Sequence, residues 1–452
     1  MLKLDGHELS PSVLNKVVTA GGESPSYDRA SKLLRVMADV KLSGMQISRL
    51  THEVGEELRV ARDRQGVQHR EGRLPSAAQT PVPIACVQVD GGRIRTRQAD
   101  APPGVHDPAW KESKVACLWR MDGKTFTEDP HPELPKCFRS IRHVKQMVRE
   151  IKNAASPHAD RPKASDKDFS GQPKRLRKRS KDALEKRPWP PQRKFRTVVA
   201  TLRDVHRFGP LVAAEAQHRG FYDATRQVFL GDGDHKNWTI HKLHFPKFVA
   251  VTDFVHVTSY LYEAAGAVTN SFAAQWEQYI GWATDCWQGR VEKVLEQMDD
   301  WTTRLEPTVA ATAAMPTDAN PSSDTLPKDA GGGATENVSD AQDADERKED
   351  SRPAAILARS LTYLRNNQPR MNYPSYRTQG LPVNSCLIES TIKQINQRVK
   401  GSEKFWSRPD NAEAVLQVRA ALLCDDNRLT RHILSRPGRQ FRRRPKPAHC
   451  PI

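Results

Sequence analysis

The sequence predicts an α/β fold: a mixed β-sheet with flanking helices, preceded by a helical segment and interrupted by an all-α insertion. Strand-like runs follow one another between residues 85 and 127, as in an antiparallel meander. Helical and strand patterns then alternate up to residue 262, as in α/β layers. Two short apolar runs in this second part, Val228–Leu230 and Phe248–Val251, each lead into an aspartate. At 452 residues the chain is long enough for roughly two to four domains.

Composition indicates a polyanionic partner. The formal net charge is +17, which favours nucleic acid first and an anionic membrane surface second. No apolar run approaches the roughly 18 residues that a membrane-spanning helix needs, and the first residues have no signal-peptide core. Seven cysteines without CxxC spacing argue against a zinc site or a disulfide framework. We therefore expect no membrane partner and a reducing, cytoplasmic location.

Residues 1–80 are predicted to form a helical DNA-binding domain. Apolar residues at helical spacing indicate a first helix: Ala30, Leu33, Leu34 and Met37. Ser43 followed by Gln46 matches a capping box that begins a second helix, and a short turn with Gly44 joins the two. This arrangement is typical of a helix-turn-helix, whose second helix would present Arg49, Arg59 and Arg62 to DNA. A helical hairpin without DNA contact fits the same residues.

Residues 84–262 are predicted to form the first part of the sheet-bearing core. Asp90 lies inside a strand over Ala85–Arg97. Asp122-Gly123 is a favoured hairpin turn between strands Val115–Arg120 and Lys124–Thr127. A helix should follow, with apolar residues on one face: Phe138, Ile141, Val144, Val148 and Ile151.

A polar, strongly basic loop at residues 153–193 interrupts this core. Its densest cluster consists of Lys174, Arg175, Arg177 and Lys178. Given the charge of the whole chain, the cluster favours contacts to the DNA backbone, although a solvated loop has the same composition. After the loop, helical patterns cover Phe195–Arg207 and Leu211–Arg219 and lead to the two apolar runs.

The two apolar runs predict neighbouring buried strands whose acidic residues share one sheet edge. The first run ends in Gly231-Asp232-Gly233, where the glycines allow a sharp turn and the close approach of a ligand. Asp232 is therefore a candidate metal ligand, although Gly and Asp are also ordinary turn residues. A helical run follows Asp253 at once, so we expect Asp253 to be an N-cap. His256 on that helix is either packed or in contact with a phosphate.

The rest of the chain is predicted to be mostly helical. Residues 263–380 should form a helical insertion with a disordered linker at 306–352, where Pro, Ala, Thr, Asp, Ser and Gly predominate. Residues 407–452 should add a helix and a basic tail, which binds the DNA backbone or only solubilises the end. The tail contains Arg442, Arg443 and Arg444.

Residues 381–406 contain an amphipathic helix with a third candidate carboxylate. Its apolar face consists of Ile388, Ile392, Ile395 and Val399. Glu389 lies beside this face near the helix start, where it either points at the sheet edge or, as the helix dipole also favours, is solvated. The basic residues that follow, Lys393, Arg398 and Lys400, are candidate DNA contacts.

Four short stretches resemble motifs of DDE transposases. They are VQVDGG around Asp90, FLGDGDHKNW around Asp232, VTDFVHVTSYL around Asp253 and LPVNSCLIESTIKQINQRVK around Glu389. In their order they are similar to bacterial insertion-sequence transposases in which a helical insertion interrupts an RNase H-like core before the glutamate. The resemblance covers roughly residues 85–406. The sequence departs from the expected pattern at Asp234–Lys236 and at Asn384–Cys386.

The resemblance implies a metal-dependent DNA transposase with an RNase H-like core. Asp90, Asp232 and Glu389 would be catalytic and would hold two Mg²⁺ ions, with Mn²⁺ as a substitute, while Asp253 and His256 support them. The activity would be strand cleavage at the ends of an insertion sequence and strand transfer to target DNA. The partner would be double-stranded DNA, both terminal inverted repeats and target, bound by a homodimer or larger oligomer at the bacterial nucleoid. Two alternatives stay open: a transposase-derived DNA-binding protein without catalysis, and an RNase H-like nuclease.

Overall fold

The computed structural model describes residues 9–75, 81–97, 109–155, 189–313, 352–400 and 404–436. The chain divides into two compact units. The first comprises Met1–Lys124, Ala154–Ala250 and Gly380–Ile452, and the second comprises Thr125–Asn153 and Val251–Gln379. Each unit is therefore assembled from segments that are far apart in the sequence.

A five-stranded mixed sheet gives the protein the α/β architecture that the sequence predicted. Its strands are β1 (Ile84–Thr96), β2 (Ala109–Asp122), β3 (Gln192–Thr201), β4 (Arg226–Gly231) and β5 (Val249–Thr252). Their order across the sheet is β3-β2-β1-β4-β5. β2 is antiparallel to both β1 and β3, whereas β4 is parallel to β1. The predicted strands before Asp232 and Asp253 are confirmed and are neighbours in the sheet.

Helices make up most of the remaining described chain. They are α1 (Pro11–Glu23), α2 (Tyr27–Ala38), α3 (Gly44–Arg70), α4 (Ile141–Ala155), α5 (Val205–His218), α6 (His235–His244), α7 (Phe254–Val268), α8 (Phe272–Trp287), α9 (Val291–Ala313), α10 (Pro353–Asn367), α11 (Tyr373–Thr378), α12 (Cys386–Val399), α13 (Pro409–Leu422) and α14 (Arg428–Ser435). Helices α4 and α7 to α11 lie in the second unit, and the others lie in the first. Across the described residues, no helix has the length and apolar character needed to cross a membrane.

The third antiparallel strand is not where the sequence predicted it. Lys124–Thr127 is not a strand, and β3 pairs with β2 instead. Where β2 ends, the Arg226 guanidinium of β4 donates to the Gly123 carbonyl at 2.6 Å. The carbonyl of the expected hairpin turn is therefore bonded to a different strand, and no hairpin forms there.

The predicted helix over Phe195–Arg207 is also wrong, because this region is β3 followed by the start of α5. Residues 196–201 are all buried, so apolar and polar side chains do not alternate along the strand. One face packs Val199 into the main core, and on the other the Arg196 side chain donates to the Leu423 carbonyl at 2.7 Å. A short run without alternation fits a buried helix or a buried strand, so tertiary contacts decide between them.

Helices cover both faces of the sheet within the first unit. α5 and α6 pack through Phe208 and Ile240 on the face that carries Val87 and Val89. α12 and α13 cover the opposite face. There Arg196 of β3 donates to the Thr391 hydroxyl of α12 at 3.3 Å and to the Leu423 carbonyl, just after α13, at 2.7 Å. The helices that carry candidate site residues are thus held to the sheet from both sides.

The N-terminal helices share one core with the C-terminal helices. Leu14, Ile47 and Val54 pack with Val418 of α13 and Ile433 of α14. The predicted capping box is confirmed, since Ser43 and Gln46 exchange backbone-to-side-chain hydrogen bonds at 2.9 and 3.2 Å. The helix that it begins has 27 residues and packs on α13. Of the apolar residues predicted for α2, Ala30 and Leu34 are buried, whereas Leu33 and Met37 are exposed.

Gly55 marks the closest approach of α3 to α13, which gives a testable stability prediction. A Cβ at this position would lie 2.2 Å from the backbone oxygen of Ala414. Gly55→Ala should therefore force the helices apart and lower the free energy of unfolding by about 1–3 kcal/mol. In Gly281→Ala, the matched control in α8, the added Cβ meets nothing within 4 Å, so better helix propensity should leave stability equal or higher. Denaturant unfolding compares them, and equal stability of the two variants would exclude the close helix contact.

The described part of the predicted insertion is helical and belongs to the second unit. Phe254 packs edge-on against Trp287 at 4.8 Å and against Tyr373 at 5.0 Å between ring centroids. Arg377, which is fully buried, pairs with Asp129 and lies over the Trp287 ring. The predicted disordered linker, 306–352, begins too early, because α9 continues to Ala313. Residues 314–351 of that linker lie outside the described residues.

Candidate active site

Asp90 and Asp232 lie at the same level of two neighbouring parallel strands. The last register pair between β1 and β4 is Gln88 with Leu230, and each aspartate follows two residues later. Adjacent strands lie about 4.8 Å apart. Parallel pairing in this register therefore brings together two carboxylates that are far apart in the sequence.

Both aspartates line one small cleft of about 50 Å³ at the carboxyl end of β4. The lining residues are Val89, Asp90, Gly91, Glu112, Lys114, Val205, Phe208, Asp232, Asp234, Lys236, Asn237 and Ile240. Ligand sites of open α/β sheets commonly lie at such strand ends. A cavity needs about 10–15 Å³ to hold one water. The cleft therefore has room for a few waters or a small ion, and not for a nucleotide.

The turn after β4 fixes the Asp232 carboxylate. Its Oδ1 accepts hydrogen bonds from the Asp234 amide at 2.9 Å and from the Asn237 side chain at 2.7 Å. Gly233 has a φ of 101°, which side chains with a Cβ rarely tolerate. Asp234 then caps α6 by accepting from the Lys236 amide at 2.8 Å. The Gly-Asp-Gly sequence is thus a turn, and the same turn holds Asp232 in the cleft lining.

Two lysines that the sequence analysis did not select line the same cleft. Lys114 donates to the Glu112 carboxylate at 2.8 Å, and the Lys236 ammonium lies 3.7 Å from it. Burial by itself raises the pKa of Glu112, but the hydrogen bond from Lys114 and the nearby positive charges outweigh burial and lower that pKa. Lys114 is the partner of Gly91 in the β1–β2 register. Lys114 could have been identified only from the pairing of β1 with β2, which are separated by a long connection in the sequence.

Glu389 lies in the first turn of α12, as predicted, and α12 packs against β1. The Glu389 carboxylate accepts a hydrogen bond from the Ser385 hydroxyl at 2.7 Å. The Gln88 side chain donates at 3.2 Å to the carbonyl of Asn384, just before the helix. Because alternate residues of a strand share a face, Gln88 and Asp90 leave β1 on the side that α12 covers. The start of the glutamate helix is therefore anchored two residues from Asp90.

The structure brings Asp90 and Asp232 together but does not place Glu389 among the residues that line their cleft. Within the part of the chain that the structure describes, no three Asp, Glu, His or Cys side chains are close enough to hold one metal ion. Val205 and Phe208 of α5 and Asn237 and Ile240 of α6 line the cleft, whereas no residue of α12 does.

Asp253 is the N-cap of α7, as the sequence predicted. It is fully buried, and its carboxylate accepts from the amides of Val255 at 3.2 Å and His256 at 3.3 Å. The same carboxylate lies 2.6 Å from Nδ1 of His256. Both carboxylate oxygens are thus used by the helix start and the histidine, which supports leaving Asp253 out of the ligand set.

Asp253→Asn should lower stability modestly and leave catalysis intact. Asparagine keeps one capping oxygen but places an amide group where the second oxygen now accepts a hydrogen bond, so we expect a loss of about 1–2 kcal/mol. Asp253→Ala, which removes both acceptors, should lose more. Thermal unfolding measures the first effect and DNA cleavage at matched folded concentration measures the second. If well-folded Asp253→Asn lost cleavage completely, Asp253 would have to be counted among the metal ligands.

The basic residues predicted to contact DNA have different surroundings. Arg49 and Lys393 are exposed, and Lys400 is half-buried. Arg59 forms ion pairs with Glu56 and Asp63 on its own helix. The clusters at 174–178 and 442–444 lie outside the described residues.

Two of the predicted DNA contacts are bonded mainly to other parts of the protein. Arg62 donates to the Ala200 carbonyl at 2.8 Å and pairs with Glu413 at 3.0 Å, so its guanidinium joins α3 to the sheet and to α13. Arg398 is 4% exposed and donates to the Gly21 carbonyl at 2.8 Å. Arg62 is therefore a partly buried residue that links these elements, and Arg398 belongs to the wall of a pocket.

Comparison with known proteins gives no assignment. No protein-family model matches the chain, and no curated protein matches it.

Proposed function

We propose that the protein is a DDE-type DNA transposase with an RNase H-like core, which cleaves the ends of an insertion sequence and joins them to target DNA. The observation that carries the proposal is the pair Asp90 and Asp232, which lie level on adjacent parallel strands and line one cleft. Glu389 begins the helix that packs along β1, and it is the third acidic residue in this proposal.

The candidate ligands are of the chemical type that binds divalent cations. Carboxylate oxygens are the ligands that Mg²⁺ prefers, and Mg²⁺ keeps several waters, which a cleft of about 50 Å³ admits in small number. Asp90 and Asp232 would hold the ions, with Glu389 completing the set, and Mn²⁺ would substitute. Bound there, two such ions supply charge stabilisation and an activated water or hydroxyl nucleophile.

The other residues of the cleft have separate tasks in this proposal. Asn237 fixes the Asp232 carboxylate through a 2.7 Å hydrogen bond. Lys114 and Lys236 would supply positive charge to a DNA phosphate at the mouth of the cleft. Gly91 has little room for a side chain, because a Cβ there would lie 3.1 Å from the Ser113 carbonyl oxygen. These groups orient the substrate and balance its charge, while the carboxylates face the reacting phosphate.

The proposed partner is double-stranded DNA, the terminal inverted repeats first and the target second. The net charge of +17 supports many phosphate contacts. The exposed Arg49 on α3 is one candidate contact. Action on paired DNA ends implies a homodimer or larger oligomer on DNA, in a bacterial cytoplasm at the nucleoid.

A second candidate function is a transposase-derived DNA-binding protein without catalysis. One observation favours it: among the described residues, no three acidic or other metal-binding side chains converge on one point. An RNase H-like nuclease is a third candidate, which would cut without joining.

The experiment that separates the three uses a plasmid carrying the inverted repeats that flank the coding sequence. Purified protein is incubated with it in Mg²⁺, and both cleavage at the repeats and joining of the freed 3′ ends to a second DNA are measured. The transposase gives both products. Cleavage without joining identifies the nuclease, and specific binding without cleavage in Mg²⁺ or Mn²⁺ identifies the binding protein.

A further inference from the structure

A second pocket, of about 420 Å³, lies in the first unit away from the acidic cleft. It is lined by Pro25, Ser26, Tyr27, Asp28, Gly44, Met45, Ser48, Arg398, Lys404, Phe405 and Trp406. The starts of α2 and α3 form one wall, and Arg398 at the end of α12 with residues 404–406 forms the other. A volume in this range is typical of pockets for small organic ligands.

The aromatic wall is firmly held. Trp406 pairs with the end of β1, since its amide donates to Arg95 and its carbonyl accepts from Arg97 at 3.1 and 3.0 Å. Its indole donates to the Val399 carbonyl at 2.9 Å. Phe405, the residue before Trp406, exposes 51% of its surface. The wall therefore presents an aromatic ring to solvent beside a residue whose backbone is paired with β1.

The same pocket contains buried positive charge. The Arg398 guanidinium lies 4.7 Å from the centre of the Tyr27 ring, and its Nη2 has no hydrogen-bond partner among the described residues. The Lys404 ammonium donates to the carbonyls of Gln397 and Arg398 at 2.7 and 2.8 Å. Burial, with the charge of Arg398, lowers the pKa of Lys404 to about 8. Of the described lining residues, Asp28 is the acidic one, so positive charge exceeds negative.

We propose that this pocket binds one unpaired nucleotide of a single DNA strand, with the base stacked on Phe405 and the phosphate beside Arg398 and Lys404. Aromatic side chains combined with cations are the usual means of binding single strands, because every base has a face that can stack. A base that is still paired and stacked in a duplex cannot enter a pocket. The proposal shares its DNA partner with the proposed function but does not depend on catalysis.

Asp90 and Glu389 lie on the same two elements as the pocket, β1 and α12. Glu389 is in the first turn of α12 and Arg398 is in the last, while on β1 the Trp406 bridge at Thr96 follows Asp90 by six residues. Six strand residues span about 20 Å.

The test measures binding of a short fluorescent oligothymidylate to the full chain in EDTA, by anisotropy. Phe405→Ala should weaken binding about tenfold, because stacking on one aromatic ring is lost. Phe272→Ala is the matched control, since Phe272 is similarly exposed but lies in the second unit, and its affinity should equal the wild type. Circular dichroism establishes that both variants fold. Unchanged affinity in Phe405→Ala overturns the proposal.

Competitors identify the ligand. Deoxyadenosine monophosphate should displace the oligonucleotide better than inorganic phosphate does, and equal displacement would mean a simple anion site and overturn the proposal. A duplex of the same length should bind Phe405→Ala as well as wild type, and an equal loss for duplex would also overturn it. Binding of the free nucleotide without binding of the oligonucleotide excludes a strand as the occupant. Because no cleavage is measured, each failure leaves the proposed function standing.

Discussion

Asp90→Asn, Asp232→Asn and Glu389→Gln should each reduce Mg²⁺-dependent strand cleavage by roughly three orders of magnitude or more, since several kcal/mol of charge stabilisation are lost. Each amide keeps the size of the side chain and removes the negative charge that divalent ions require. The measurement is the single-turnover rate on DNA with the element ends, at saturating protein. Affinity for the same DNA in EDTA should stay close to wild type, which separates lost chemistry from lost binding.

Asp234→Asn is the matched control for this series. Asp234 lines the same cleft two residues from Asp232, but its carboxylate caps α6. Asparagine is an equally good N-cap, so folding and cleavage should be retained. If Asp232→Asn cleaved as fast as Asp234→Asn, the assignment of Asp232 would be wrong. If Glu389→Gln alone kept full activity, the third acidic group would have to be sought elsewhere.

Affinity for element-end DNA should fall by about 10³- to 10⁵-fold between roughly 50 and 200 mM salt, if six to ten phosphates are contacted. The reason is the excess of basic residues, which gives the chain a net charge of +17. Each phosphate contact releases condensed counterions, and added salt opposes that release. Anisotropy titrations over a salt series give the slope. A flat response would exclude a binding mode dominated by the DNA backbone.

Single substitutions locate these contacts better than deletions. α1 to α3 share a core with α13 and α14, so removal of the N-terminal segment would expose apolar surface and confuse folding with recognition. Arg49→Gln should lower the salt slope by about one, as expected for one lost phosphate contact. Lys293→Gln, where the lysine pairs with Asp285 at 3.0 Å in the second unit, should leave the slope unchanged. Equal salt slopes for the two variants would mean that Arg49 of α3 does not contact a DNA phosphate.

The features that could be predicted from the sequence are encoded locally. The capping box of Ser43 and Gln46 and the N-cap of Asp253 involve residues within three positions of each other. The strand that ends before Asp232 is a short apolar run closed by glycine turn residues, and the helix of Glu389 has a clear apolar stripe. In each case neighbouring residues supply the signal, so a single stretch of chain suffices.

The features that were missed depend on partners far away in the sequence. β3 lacks alternation because helices bury both of its faces, which no local pattern reveals. Lys114 enters the acidic cleft only through its register with Gly91. Arg62 looked like a surface cation, but its partner Glu413 is 351 positions away. Pairing across such distances is decided by the packed fold and not by the neighbouring residues.

The central claim is that Asp90, Asp232 and Glu389 form one metal site, and Fe²⁺-directed backbone cleavage tests it most directly. Fe²⁺ takes the place of Mg²⁺, and with ascorbate and peroxide it produces hydroxyl radicals that cut the polypeptide next to the bound ion. With element-end DNA present, we expect cuts around residues 90, 232 and 389, all suppressed by excess Mg²⁺ and absent in Asp232→Asn. Cuts near 90 and 232 without any near 389, or no cuts that Mg²⁺ suppresses, would contradict the claim.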